Sequence, residues 1–130
     1  MAPDLIPELE GLRVTVDRVT FMPQLQASEE RPFPFVYFIT IHNDSPETVT
    51  IKGRKWVVTD TRGETLVVEG DGVVGKFPRL ETGEHFSYNS YHTIGADSVA
   101  EGSFIGMTEE GMPVLVRIPP FEMKAPTGNS

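Results

Sequence analysis

The stretch Phe35-Val-Tyr-Phe-Ile-Thr-Ile41 decides the fold class of this chain. It consists almost entirely of β-branched and aromatic residues, which favour strands. Apolar side chains occur at its odd and its even positions, so both faces of the strand are apolar. A strand with one face in water would alternate with polar residues instead. The stretch therefore predicts a strand in the centre of a sheet.

Segments with strand-like alternation lie on both sides of this stretch. They cover roughly residues 14–21, 49–52, 56–59, 66–68, 86–88, 104–107 and 114–118. Turn sequences such as Asn43-Asp-Ser-Pro46 and Asp60-Thr-Arg-Gly63 separate them. No window has a convincing helical period, so we predict about seven or eight strands and no helix.

The short connections between these segments require antiparallel strands, because parallel strands need long crossovers. Two sheets packed face to face would bury one face of each, which predicts an all-β sandwich. A closed barrel is the alternative. Pro119 and Pro120 are expected to end the pairing of the last strand.

The length of 130 residues suits one domain. The strand-like segments place a β-sandwich domain at residues 12–123. Residues 1–11 are expected to be a flexible lead-in and residues 124–130 a flexible tail. A long, proline-rich loop at residues 22–34 is expected to be exposed. Trp56, the only tryptophan, is expected to anchor the core.

The composition argues against several classes of function. The formal net charge is −8, which disfavours nucleic-acid partners. There is no cysteine, which excludes thiolate metal sites and thiol nucleophiles. No apolar run approaches the roughly 18 residues that a membrane span needs. The N-terminus lacks a signal-peptide pattern. We therefore expect a cytoplasmic protein that does not bind membranes and has no cofactor.

One glycine-rich segment resembles a phosphate-binding motif. Gly70-Asp-Gly-Val-Val-Gly75 matches G-x-G-x-x-G, and Lys76 extends it toward the phosphate loop. Both motifs require a helix to follow, and Pro78 prevents one. The favoured interpretation is a corner that turns the chain. The alternative is an anion site for a nucleotide or pyrophosphate, formed by the loop amides.

The residues of that alternative site are Gly70, Gly72, Gly75, Lys76 and Arg54. Asp71 would oppose an anion there.

Catalytic and metal-binding patterns are not found in the sequence. His42, His85 and His92 form no metal-ligand spacing. No serine lies in a nucleophile elbow. We therefore predict no catalytic residues, no metal site and no enzyme activity.

Several segments together resemble the ApaG family. They are Phe38-Ile-Thr-Ile-His-Asn43, Gly53-Arg-Lys-Trp-Val-Val-Thr-Asp60, the glycine loop, Phe86-Ser-Tyr88 and Ile118-Pro-Pro-Phe121. The resemblance covers roughly residues 12–123. It implies an immunoglobulin-like or fibronectin-III-like sandwich in a small, mostly bacterial protein. It also implies a pyrophosphate site at the glycine loop and a link to divalent cation homeostasis, although no ligand set is evident here.

Similar domains are appended to eukaryotic F-box and polymerase-interacting proteins, and this reuse implies a binding module. The first hypothesis is therefore protein–protein interaction with an unidentified partner, through loop 22–34 or a sheet edge. Nucleotide or pyrophosphate binding at the glycine loop is the second. A phosphohydrolase is the third and least favoured.

Overall fold

A computed structural model of the chain describes residues 6–126. Over these residues it contains eight strands and no helix, so no helix is long and apolar enough to cross a membrane. The strands are β1 (Leu12–Phe21), β2 (Phe33–Asn43), β3 (Val49–Asp60), β4 (Thr65–Asp71), β5 (Arg79–Leu80), β6 (His85–Ile94), β7 (Ser98–Thr108) and β8 (Pro113–Met123). The predicted all-β class and strand number are confirmed.

The strands form two antiparallel sheets that pack as a sandwich. One sheet has the order β1-β2-β6. The other has the order β4-β3-β7-β8, with β5 pairing on β3. Residues 35–41 lie in β2, between β1 and β6, as a central strand should. The two sheets are separate, so the chain forms a sandwich and not a closed cylinder.

The core lies between the sheets and is built from the alternating positions of the strands. Trp56 is only 1% exposed, which confirms that it anchors the core. Burying a large apolar side chain stabilises a fold by about 1.5–3 kcal/mol. The other large side chains that are almost fully buried are Phe104, Ile39, Ile41, Ile51, Ile94, Ile118 and Met123.

The prediction for the two prolines of the last strand was wrong. β8 continues through Pro119 and Pro120 to Met123. Ile118 pairs with Gly102 and Phe121 pairs with Ala100, so the two prolines lie in a bulge where the register shifts. A bulge leaves its extra residue out of the ladder, which removes the need for a proline N–H.

Residues at both ends of the domain contact the sandwich. The Leu115 amide donates to the Pro7 carbonyl at 2.9 Å, and Leu9 packs on the core. The Ala125 amide donates to Asp97 Oδ1 at 2.8 Å. Residues 1–5 of the expected lead-in and residues 127–130 of the expected tail lie outside the described residues.

The two lateral sides of the sandwich differ. On one side β1 packs against β8. On the other side the three-stranded sheet ends at β6, while the five-stranded sheet extends to β4. Across the described residues, β6 makes no comparable contact with β4 or β5. We call the gap between β6 and the β4–β5 edge the open side.

Candidate binding site at the glycine corner and the open side

Four of the five predicted anion-site residues lie in one corner, residues 70–78, which we call the glycine corner. The fifth, Arg54, lies beside it on β3. Arg54 pairs with Gly70 across β3 and β4. A Cβ on Gly70 would lie 2.7 Å from Arg54 Nη1, so any larger residue would displace the guanidinium from its present position. A Cβ on Gly72 would come too close to the Lys76 carbonyl oxygen to be accommodated. Gly75 lies in the turn between Gly72 and Lys76.

Residues 73–76 form a tight two-residue hairpin. The Val73 amide donates to the Lys76 carbonyl at 2.8 Å, and the Lys76 amide donates back at 2.9 Å. Val74 has φ 44° and Gly75 has φ 78°. Positive φ at both central residues is the mark of a type I′ turn. The three glycines are thus accounted for by backbone conformation and close approach.

Several polar groups of the glycine corner are bonded within the chain. The Gly72 amide donates to the Lys52 carbonyl at 2.8 Å. Arg54 Nη1 donates to the carbonyls of Asp71 at 2.9 Å and Gly72 at 3.2 Å. These bonds tie the corner to β3. They leave fewer donors free for an anion than the sequence suggested, and the pyrophosphate site stays a prediction.

The chain after Gly75 enters β5, at Arg79, and not a helix. A dinucleotide fingerprint and a phosphate loop both place the phosphate at a helix N-terminus. The prediction that this segment lacks that context is confirmed. The glycine corner therefore differs in structure from both motifs that its sequence resembles.

Two apolar side chains at the glycine corner are exposed. Val74 is 49% exposed and Phe77 is 54% exposed. Phe77 lines an open groove of about 650 Å³ whose walls also include Pro78, Leu80 and Phe86. The groove lies at one end of the open side. This surface could not be predicted from the sequence, because local alternation does not show which strands lie at a sheet edge.

A smaller cavity of about 240 Å³ lies at the other end of the open side. Val58, Leu66 and Ile94 supply its apolar wall, and Arg31 and Arg62 line it as well. Between the two cavities, Leu66 and Val68 of β4 are half-buried and pack against the core. The open side is therefore an apolar trough with charged residues at both of its ends.

Three buried polar atoms behind this trough have no hydrogen-bond partner among the described residues. They are Trp56 Nε1, Tyr88 Oη and His92 Nε2. The His92 ring centroid lies 4.7 Å from those of Tyr37 and Trp56. Burial lowers the pKa of His92 to about 4 and raises the pKa of the Tyr37 and Tyr88 phenols. The side chains of His92, Tyr37 and Tyr88 are therefore neutral near pH 7.

The other two histidines are neighbours on the outer face of the three-stranded sheet. The ring centroids of His42 and His85 lie 6.1 Å apart. His42 Nε2 lies 3.0 Å from Thr15 Oγ1. Within residues 6–126, no group of three or more His, Asp or Glu side chains is placed to hold a metal ion.

These features define a small antiparallel sandwich with one closed and one open lateral side. The ApaG domain family model matches residues 23–107. The chain is 40% identical over 121 residues to the ApaG protein of Rhodospirillum centenum, covering 92% of each chain. It is 38% identical over 99 residues to the ApaG protein of Vibrio cholerae, covering 75% of this chain and 79% of that one. The chain belongs to the ApaG family.

A solved structure supports the same assignment. A Bordetella pertussis protein assigned as ApaA is similar to this chain with a TM-score of 0.79 and 28% sequence identity. The match covers 93% of this chain and 98% of that one. The resemblance to the ApaG family that the sequence motifs indicated is thus confirmed for the family and for the sandwich fold.

Proposed function

We propose that this chain is a non-catalytic, cytoplasmic binding module that recognises a partner protein through its open side. The observation that carries the proposal is the pair of exposed apolar side chains at the glycine corner, Val74 and Phe77. Partly exposed aromatic residues beside a groove are the side chains that most often carry binding energy in protein interfaces.

The backbone of Val74 strengthens the proposal. A β-branched residue at positive φ is strained, by about 1–3 kcal/mol. Asn-Gly is the favoured pair for this turn, yet the chain has Val74-Gly75. If this position served only the turn, asparagine would be the favoured residue there. The strained and exposed valine is therefore explained best by a contact outside the chain.

Substitution of Val74 separates binding from folding. Val74→Asn should raise the free energy of unfolding by about 1 kcal/mol, because asparagine tolerates this conformation. The same change should weaken the interaction with the partner. Chemical denaturation measures the stability. Quantitative capture from a lysate of the source cells, followed by titration of the purified partner, measures the binding.

Phe77→Ser tests the second contact, with an expected loss of affinity of about tenfold or more. Val99→Thr is the matched control, since Val99 is 38% exposed and pairs with Thr59 at the far end of β3. It should bind as the wild type does. The proposal fails if wild type, Phe77→Ser and Val74→Asn capture the same proteins with the same affinity.

A further inference from the structure

The outer edge of β6 has free backbone hydrogen-bonding groups. Among residues 6–126, β6 pairs only with β2, from His42↔His85 to Phe33↔Ile94. The Asn43 amide donates to the Glu84 carbonyl at 2.9 Å, which fixes the phase of this ladder. Because bonded pairs alternate along an antiparallel ladder, residues 85, 87, 89, 91 and 93 direct their N–H and C=O groups away from β2.

The other sheet edges are protected in ways that β6 is not. β1 has a register shift between Val16 and Arg18. β8 has the Pro119–Pro120 bulge and is paired by Glu8 at Leu115. β4 is short and carries Glu69 and Asp71. Bulges, prolines, short length and charges are the devices that stop unwanted strand pairing.

β6 has none of these devices. Its sequence is His-Phe-Ser-Tyr-Asn-Ser-Tyr-His-Thr-Ile, with no proline, lysine, arginine or carboxylate. Its register with β2 is continuous over ten residue pairs. A straight, neutral and uncovered edge of this length is a template for another strand.

Space for such a strand exists beside β6. The three-stranded sheet lacks a strand where the facing sheet has β4. A strand added about 4.8 Å from β6 would lie over the inner face of β4. Its alternate side chains would cover Leu66 and Val68, which are half-buried without it. Those side chains must therefore be apolar.

The charge of the molecule selects among the possible occupants. The net charge of −8 disfavours a second copy of this chain, since two such molecules repel each other. Acidic residues outnumber basic ones at the Arg62 end of the trough, where Glu29, Glu30 and Glu64 lie with Arg31 and Arg62. A segment with basic residues beside its apolar ones is complementary to them.

We propose that β6 binds an extended segment of a partner protein as a fourth strand, with alternating apolar residues over β4 and lysine or arginine at the end near Glu29, Glu30 and Glu64. The proposal rests on the proposed function and names the mode and chemistry of recognition. The edge available for pairing runs from His85 to Tyr91, because the Tyr91 hydroxyl donates to the Gln26 carbonyl of loop 22–34 at 3.2 Å. Main-chain bonds would supply affinity, and the trough would select side chains.

The test uses the full chain and a defined probe. The probe is a capped peptide in which Val and Thr alternate between two pairs of lysines, and the control peptide has glutamates in place of the lysines. Hydrogen exchange followed by NMR should show new protection at the amides of Ser87, Asn89 and Tyr91 with the lysine peptide. The glutamate peptide should bind at least about tenfold more weakly.

Asn89→Pro removes one outward N–H and blocks the edge, while leaving the bonds to β2 in place. It should weaken binding of the lysine peptide at least tenfold. The matched control, Asn89→Thr, keeps the N–H and should bind as the wild type does. A thermal melt of each variant shows whether it is folded. If Asn89→Pro does not fold, Ser87→Pro repeats the test at the neighbouring outward position.

Other outcomes would overturn the proposal. The first is the absence of new amide protection at millimolar lysine peptide. The second is protection of the same amides by self-association without peptide, which assigns the edge to a second copy. The third is a partner whose capture depends on Phe77 but is unchanged by Asn89→Pro, in which case the proposed function stands without strand addition. If capture depends on neither residue, the proposed function fails as well.

Discussion

Trp56 packs against aromatic rings of both sheets. Its ring centroid lies 4.8 Å from that of Tyr37 in the facing sheet and 5.8 Å from that of Phe121 in its own sheet. A ring in this position cannot be removed without leaving a cavity, because neighbouring strands hold its walls apart.

Trp56→Ala should lower the free energy of unfolding by about 3–5 kcal/mol. Urea denaturation monitored by circular dichroism measures the change without needing the tryptophan signal. Val67→Ala is the control, since Val67 lies in the same sheet but is 49% exposed; it should cost about 1 kcal/mol or less. A loss below about 1 kcal/mol for Trp56→Ala would mean that the site collapses around the missing ring.

The structural roles of some residues could be predicted from the local sequence, and those of others could not. Trp56 was predictable, because alternation with Val58 placed both on the inward face of one strand. Gly63 was predictable as a turn residue, and it has φ 83°. The left-handed conformation of Val74 was not predictable. It arises because hydrogen bonds between Val73 and Lys76 close the turn around a residue that disfavours it.

At the scale of elements, periodicity predicted the strands well and their edges poorly. The stretch at residues 35–41 predicted β2 because its burial on both faces leaves a direct composition signal. The prediction that Pro119 and Pro120 end the last strand was wrong, because a proline that ends a strand and a proline in a bulge look alike in sequence. The free edge of β6 left no local signal, because an edge is defined by the absence of a neighbour from elsewhere in the chain.

The glycine corner is the element in which the sequence suggested a ligand and the contacts favour a turn. Gly72→Ala should lower the free energy of unfolding by about 2 kcal/mol, since the new Cβ would clash with the Lys76 carbonyl at a positive φ. Lys76→Ala should leave stability within about 0.5 kcal/mol, because that side chain is exposed. Thermal denaturation of both variants distinguishes the two effects.

Calorimetric titration tests the nucleotide hypothesis at the same corner. Because the Gly72, Val73 and Lys76 amides are bonded within the chain and Asp71 adds a negative charge, we expect no binding heat from pyrophosphate or ATP at millimolar concentration. Lys76→Ala serves as the control for any heat that is seen. Heat that disappears in Lys76→Ala would favour the anion site and count against a purely structural corner.

The whole molecule depends on long-range pairing that no single segment encodes. The pairing of β2 with β6 joins strands far apart in the chain, and the closed and open sides depend on it. The sequence predicted two sheets because short turns forbid crossovers, but it did not predict which strand would lack a partner. The candidate surface therefore became visible only when both sheets were assembled.

His92 makes the stability of the assembled sandwich depend on pH. Its ring is 9% exposed and contacts aromatic rings of both sheets: Tyr37, Trp56 and Phe121. Burial lowers its pKa to about 4 from the ordinary value of 6.5, so between these values the unfolded chain binds more protons than the folded one. The free energy of unfolding should therefore be fully retained above pH 6.5 and should fall on acidification.

Between pH 6.5 and pH 4 the loss should reach about 3 kcal/mol, and urea denaturation at half-unit steps of pH measures it. His92→Phe keeps an aromatic ring but cannot be protonated, so its stability should be nearly flat over this interval. His85→Gln, at an exposed position of the same strand, should retain the wild-type slope. Asp17, whose hydrogen bond from Thr40 lowers its pKa below 3.8, adds its own loss only at lower pH. Equal slopes for the wild type and His92→Phe would show that protonation of His92 does not weaken the contact between the sheets.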